Sequence, residues 1–274
     1  MILIDGIPDG RIDPLDRGFA YGDGVFRTMR VQGGRVLHWA RHYAKLSDDC
    51  GRLGIVCPLK DLLADELQRV AEVHPEGVAK IIVSRGPGGR GYSVPAHAQP
   101  TRVVCGFANA NSGQSRAQTA QTGVRVRWCR TPVTEQPALA GIKHLNRLDS
   151  VLARSEWVRG DIAEGLMLDR NGWVIEGTMS NVFVLEGDRL TTPLLDVAGV
   201  SGMQRGRLMN DCRHEGLACF EGRIGRDRIL GADAVYLTNS IIGLWWVTVL
   251  DDRVWSPHPM TARLVARIDS CADD

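Results

Sequence analysis

The chain has 274 residues, 44% of them apolar and 24% charged, with a formal net charge of +1. That length suits two ordinary domains, and the apolar share allows a sizeable core. Acids and bases are balanced and interspersed, which argues against a nucleic-acid or membrane partner, because either needs a one-signed patch.

The opening "MILIDGIPDG" has no basic start, so no signal peptide is expected, and "IIGLWWVTVL" is too short to span a membrane. The seven cysteines are scattered, without CxxC or zinc spacing. They predict reduced thiols in a cytoplasmic protein and no metal site.

In chain order, residues 1–4 and Ile7 read as strands around an Asp5-Gly6 turn, and 25–31 and 35–37 as a hairpin around "QGG". Amphipathic periodicity predicts helices over Trp39–Leu53 and Lys60–Val73. Strands over 78–84 and 101–108 enclose a Gly-rich loop whose "GPGGRG" fits G-x-G-x-x-G. The following "YSVPAH" cannot open a helix, so a dinucleotide fingerprint is rejected. Two readings stay open for this loop: a flexible connection, or a loop over a pocket with Arg90 aimed at an anionic substrate.

"NANSGQSRAQTAQ" (109–121) is small, polar and aperiodic, and reads as a linker. Beyond it, strands are expected at 124–129, 165–168, 174–175 and 181–185, with a turn at Arg170-Asn171-Gly172. Leu148, Val151, Leu152 and Ser155 recur at helical spacing, and further helices are expected near 202–214 and 260–268. The sum is a mixed α/β chain with two domains. A small N-terminal α/β domain covers 1–108, a linker 109–121, and a larger, β-rich α/β domain 122–274.

The basic residues hold the first chemical clue. Only four of the 33 are lysines, Lys45, Lys60, Lys80 and Lys143. An amine can lose its proton and attack a carbonyl, whereas a guanidinium stays charged. Lys143 follows the apolar approach "LAGI", where partial burial would depress its pKa and favour Schiff-base chemistry. Glu176 ends a strand in "GWVIEGTMSN", as a carboxylate among apolar neighbours that wants a cationic partner. Ser201 in "GVSGMQRG" is either an ordinary helix N-cap or part of an anion seat. Asn239 in "YLTNS" leaves the same choice between cap and seat. A Schiff-base lysine, a carboxylate for a pyridinium nitrogen and two phosphate seats together describe a pyridoxal-phosphate site.

"DRGFAYGDGVFRT" (16–28), "SRGPGGRGYS" (84–93), "LAGIKHLNRLDSVLAR" (139–154) and "EGTMSNVF" (176–183) stand in the order of a known family. By them the chain resembles the aminodeoxychorismate lyases, among the fold-type IV pyridoxal-phosphate enzymes that include branched-chain and D-amino-acid aminotransferases. The resemblance implies a cytoplasmic homodimer that converts 4-amino-4-deoxychorismate to 4-aminobenzoate and pyruvate, with an aminotransferase as the alternative. It assigns Lys143 to hold pyridoxal 5'-phosphate and act as base, Thr28 to assist near the leaving oxygen, and Glu176 to the ring nitrogen. Arg147 goes to the ring-hydroxyl side, Ser201 and Asn239 to the phosphate, and Arg90 to a substrate carboxylate. In place of the family's "H-x-x-R-L" this chain has "HYAKL", which puts Lys45 at the phosphate-gripping arginine, with Arg41 or Arg52 as substitutes.

Overall fold

The structure, a computed structural model, describes residues 1–108, 116–158, 160–212 and 216–270. They form two compact units, one built from 1–108 with Lys143–Asn146, the other from 116–142 and 147–270.

The first unit runs β1 (Ile2–Ile4), β2 (Ile7–Pro8), α1 (Arg17–Tyr21), β3 (Gly24–Gln32), β4 (Arg35–Val36), α2 (Trp39–Leu53), α3 (Lys60–Val73), β5 (Gly77–Ser84) and β6 (Arg102–Ala108). Its six strands form an antiparallel sheet in the order β2-β1-β6-β5-β3-β4. Side chains alternate across a strand. Val25, Arg27, Met29 and Val31 of β3 and Ala79, Ile81 and Val83 of β5 are buried on one face, where α2 and α3 pack with Leu46, Leu63, Leu67 and Val70. Burying each large aliphatic side chain contributes roughly 1.5–3 kcal/mol. The opposite face carries Phe26, Thr28, Lys80 and Ile82, all half-buried, with Thr28 directly across from Lys80. Helix α2 buries His42, Leu46, Asp49 and Cys50 at steps that keep them on one side, and Gly54 ends it in the left-handed conformation.

The second unit runs α4 (Arg116–Thr122), β7 (Val124–Trp128), α5 (Leu148–Arg154), β8 (Ile162–Leu168), β9 (Val174–Gly177), β10 (Asn181–Glu186), β11 (Arg189–Pro193), α6 (Met203–Asp211), β12 (Ala218–Gly222), α7 (Arg226–Gly231), β13 (Ala234–Asn239), β14 (Gly243–Leu250), β15 (Arg253–Val254) and α8 (Met260–Asp269). The sheet order is β12-β11-β10-β13-β14-β7-β8-β9, with β15 on β14. Strand β7 runs parallel to both β14 and β8. Strand β10 is buried on both faces: Val182 and Val184 join a core with Leu166, Val235 and Val247, while Phe183 and Leu185 join another with Leu208 of α6 and Leu264 of α8. A strand covered on both sides reads as a continuous apolar run, as "NVFVL" does.

Two expectations change. Of the linker 109–121, residues 109–115 lie outside the described residues, and Arg116–Thr122 is a helix, favoured by its alanines and glutamines against the β-branched Thr119 and Thr122. The helix expected over 202–214 ends at Asp211, and 213–215 lie outside the described residues. The stretch "IIGLWWVTVL" supplies strand β14. Among the described residues no helix is long and apolar enough to cross a membrane.

Candidate active site

In the first unit, Lys143–Asn146 runs as a short strap along the free edge of β3. Strand β4 pairs only with Val31 and Gln32, so Gly24–Phe26 would otherwise leave backbone groups unpaired. The strap fills that edge: Phe26 N–H donates to Lys143 O (3.0 Å), Leu145 N–H donates to Gly24 O (2.9 Å), and Val25 stands opposite His144. The approach demands glycine at 24, since a Cβ there would lie 2.6 Å from Val83 O and 2.8 Å from Leu145 Cδ1. Asn146 Nδ2 closes the strap on Gly22 O at 3.2 Å.

The half-buried Lys143 ammonium lies 4.3 Å from the Phe26 ring centroid, and Lys80 Nζ lies 5.0 Å from the same centroid. Two of the four lysines therefore meet on the face that carries Thr28. A buried ion pair supports the strap from the helix side. Arg27 donates to Asp49 Oδ2 and, at 2.9 Å, to Lys45 O, and the same Asp49 oxygen accepts the Lys143 backbone N–H at 3.1 Å. Burial pushes the Asp49 carboxyl up against the pull of Arg27. His42, two turns before Asp49 on α2, is held neutral, its pKa pressed to about 3 by burial and then by Arg27, His38 and Lys143. Lys45 is half-buried on α2, as is Arg41, and Arg52 is exposed.

In the second unit, Glu176 is buried at the end of β9. Its Oε2 accepts Val200 N–H at 2.8 Å, and Arg147 Nη1 stands 3.8 Å from Oε1 while Arg147 Nη2 donates to Ile142 O at 3.0 Å. Arg147 is thus the cation that Glu176 wants. Gly141 pairs with the 199–201 segment, accepting Ser201 N–H at 2.9 Å. Ile142 and Arg147 are the chain neighbours of the strap. Asn181 Nδ2 holds Val200 O at 2.7 Å.

Ser201 is not the N-cap of α6. Gly202 occupies that position and has no side chain to cap with, while Ser201 N–H bonds Gly141 O. Asn239 builds a turn: its Oδ1 accepts Ile241 and Ile242 N–H (2.8 and 2.9 Å), and its Nδ2 donates to Met179 O (2.9 Å). Arg90 is exposed on the Gly-rich loop, which is not a loose connection, as set out below.

Sequence reasoning missed the buried polar groups that hold these segments. Asp49 lies seven residues after His42 and three after Leu46, which puts it on the apolar stripe of α2, a legible signal. Glu164, fully buried on β8, accepts from Gly165 N (2.9 Å), Thr178 N (3.0 Å), Thr178 Oγ1 (2.5 Å), Met179 N (3.1 Å) and Ser180 Oγ (2.8 Å). It shapes the turn between Glu176 and Asn181. Nothing local in "IAEGLML" announces that.

The donor set fits pyridoxal phosphate. It offers a half-buried primary amine, a buried carboxylate for a protonated ring nitrogen, and the start of a nine-residue helix whose cap supplies no side-chain acceptor. Two curled sheets in this strand order define the class: a fold-type IV pyridoxal-phosphate enzyme. The family "Amino-transferase class IV" matches residues 24–250. An aminodeoxychorismate lyase of Vibrio harveyi is 32% identical over 89% of each chain. The crystal structure of 4-amino-4-deoxychorismate lyase from Pseudomonas aeruginosa is 39% identical, covers 98% of both chains and superposes with a TM-score of 0.91. A D-alanine aminotransferase of Bacillus licheniformis is 26% identical over 91% of this chain and 88% of its own. The chain belongs to the class IV aminotransferase family.

Proposed function

We propose that the protein is a pyridoxal-phosphate-dependent lyase that converts 4-amino-4-deoxychorismate to 4-aminobenzoate and pyruvate. The observation that carries this reading is the likeness to the Pseudomonas aeruginosa lyase over 98% of both chains. Bound, the cofactor supplies an electron sink beside the carbon that loses its proton.

This chain's residues do the rest. Lys143 Nζ holds the cofactor in the resting enzyme and takes the C4 proton of the substrate. As that proton leaves, the bond from the adjacent carbon to the enolpyruvyl oxygen breaks and the ring becomes aromatic. Thr28, on the Phe26 face, donates a hydrogen bond to the departing oxygen. Glu176 keeps the ring nitrogen protonated, and Arg147 pairs with the Glu176 carboxylate while facing the ring-hydroxyl side. Lys45, the Ser201 segment with the start of α6, and the Asn239 turn serve the phosphate. Arg90 takes a substrate carboxylate, and Lys80, beside Phe26 and opposite Thr28, is a second cation suited to one.

A homodimer accounts for the apolar face of α5, where Leu148, Val151 and Leu152 are 76%, 56% and 61% exposed at helical spacing. A cytoplasmic location suits the six free cysteines among the described residues. The likeness to a D-alanine aminotransferase keeps an amino-group transfer as the second reading. Holoenzyme incubated with 4-amino-4-deoxychorismate, and in parallel with D-alanine or leucine plus 2-oxoglutarate, should form 4-aminobenzoate and little keto acid. Rapid amino transfer without 4-aminobenzoate would favour the aminotransferase.

A further inference from the structure

The loop after β5 is laced to α1 by one buried guanidinium. Arg17 Nη1 donates to Gly91 O (3.1 Å) and Ser93 O (3.3 Å), Nη2 to Tyr92 O (3.1 Å), and Nε to Asp23 Oδ2 (2.8 Å). The hydrogen bonds go mostly to loop carbonyls, so this side chain shapes backbone as much as it pairs charge. Around it, Arg17 N–H donates to Gly86 O (3.0 Å), Gly88 N–H to Leu15 O (3.1 Å), and Ser84 Oγ to Asp16 Oδ2 (2.8 Å). The guanidinium stacks over Tyr21 (5.1 Å), whose ring packs on Tyr92 (5.3 Å) and whose hydroxyl accepts Gly91 N–H (3.3 Å). Asp23 also binds Arg85, and although burial raises its carboxyl, the hydrogen bonds from Arg85 and Arg17 hold it below the usual range. Gly86 completes the lacing. Its φ is +89° and a Cβ there would fall 1.8 Å from Gln99 O.

Arg90 stands between the two pinned points, Gly88 and Gly91. We propose that Arg17 is the positioning residue for Arg90, fixing Gly91 to Ser93, the backbone directly after it, so that the Arg90 guanidinium is presented to a substrate carboxylate in one geometry. The inference rests on the reading that Arg90 binds that carboxylate. Preorganisation of this kind raises affinity by removing the ordering cost from the binding step. A lysine at 17 would keep the charge beside Asp23 but lacks the planar fork that spans three carbonyls.

The test is a double-mutant cycle on the holoenzyme, with wild type, Arg17→Lys, Arg90→Ala and the double variant. Calorimetry compares binding of 4-aminobenzoate with its neutral analogue 4-aminobenzamide, and KM and kcat are measured alongside. Arg90→Ala should lose the preference for the acid by roughly tenfold or more, the value of a charge-assisted hydrogen bond. Arg17→Lys should lose most of the same preference and raise KM with kcat unchanged, and the double variant should be no worse than Arg90→Ala. An intact preference in Arg17→Lys, or losses that multiply in the double variant, would overturn the inference while leaving Arg90 as ligand. An intact preference in Arg90→Ala would remove the reading on which it rests. Should Arg17→Lys not fold, Tyr21→Phe decides: loss of the acceptor for Gly91 N–H should lower the preference about two- to threefold in wild type and not at all beside Arg90→Ala.

Discussion

The Lys143 strap in the first unit and the turn between Glu176 and Asn181 in the second are held by different electrostatics. In the first, guanidinium–carboxylate pairs sit out of water: Arg27 with Asp49 behind the Lys143 strap, and Arg17 and Arg85 around Asp23. In the second, the buried Glu164 carboxylate is ringed by backbone N–H and hydroxyl donors, all neutral among those described. The pair in the first unit is sensitive to loss of one member, because the survivor is left charged and buried. The ring in the second spreads one charge over several partners, so each loss is smaller. The segment that carries Lys143 is thus tied to the more fragile arrangement.

The comparison can be broken most severely at Asp49. Asp49→Ala should destabilise the protein by about 3–5 kcal/mol in urea denaturation, because Arg27 keeps its charge without a partner. The double change Arg27→Met with Asp49→Leu should recover most of that loss. If the single change costs no more than an ordinary surface substitution, the buried pair does not support the strap.

Lys45 sharpens the same comparison, since it lies one turn before Asp49 on α2. Lys45→Ala should weaken retention of pyridoxal phosphate by about ten- to a hundredfold, one charge-assisted hydrogen bond, in a titration after dialysis. A fall in stability with unchanged cofactor affinity would make Lys45 a partner of Asp49 and pass the phosphate to Arg41 or Arg52. Glu164→Gln should cost less than Asp49→Ala, about 1–3 kcal/mol, since the amide keeps the shape and one acceptor while its NH2 meets donors. Equal costs would erase the distinction between the units.

The effect that is smallest near neutral pH is a pH dependence. His42 titrates near 3 in the folded protein against a reference of 6.5. As pH falls from about 6.5 towards 3, the unfolded chain takes up a proton that the folded one refuses, so this group destabilises the fold over that window. His42→Phe should flatten the loss of stability with acid by up to about 1.4 kcal/mol per pH unit. An unchanged slope would mean that His42 is protonated in the fold.

Much of the architecture is legible in the sequence where periodicity is local and strong. The helices Trp39–Leu53 and Lys60–Val73 form over the expected residues, and "QGG" closes a hairpin. The five-residue α1 and the strands β11 and β12 are too short or too mixed to show a period. For the candidate site, the sequence singles out Lys143 and Glu176 as isolated chemical types in apolar surroundings. It does not reveal Arg17, Asp49 or Glu164 as scaffolds, because their burial depends on partners distant in the chain: Arg17 meets carbonyls 74 to 76 residues away, and Asp49 meets Lys143 at a separation of 94. Ser201 misleads for a related reason. The local pattern of a cap is present, but the chain is pinned to Gly141 through the Ser201 N–H and the helix begins later, with Gly202 at the cap position.

The account turns on which of the four lysines carries the cofactor. Holoenzyme reduced with borohydride, digested and mapped by mass spectrometry, should carry the pyridoxyl phosphate adduct on Lys143 and lose it in Lys143→Ala, which should also lose turnover. An adduct on Lys80, Lys45 or Lys60 in the wild-type protein would contradict the assignment of the reactive amine.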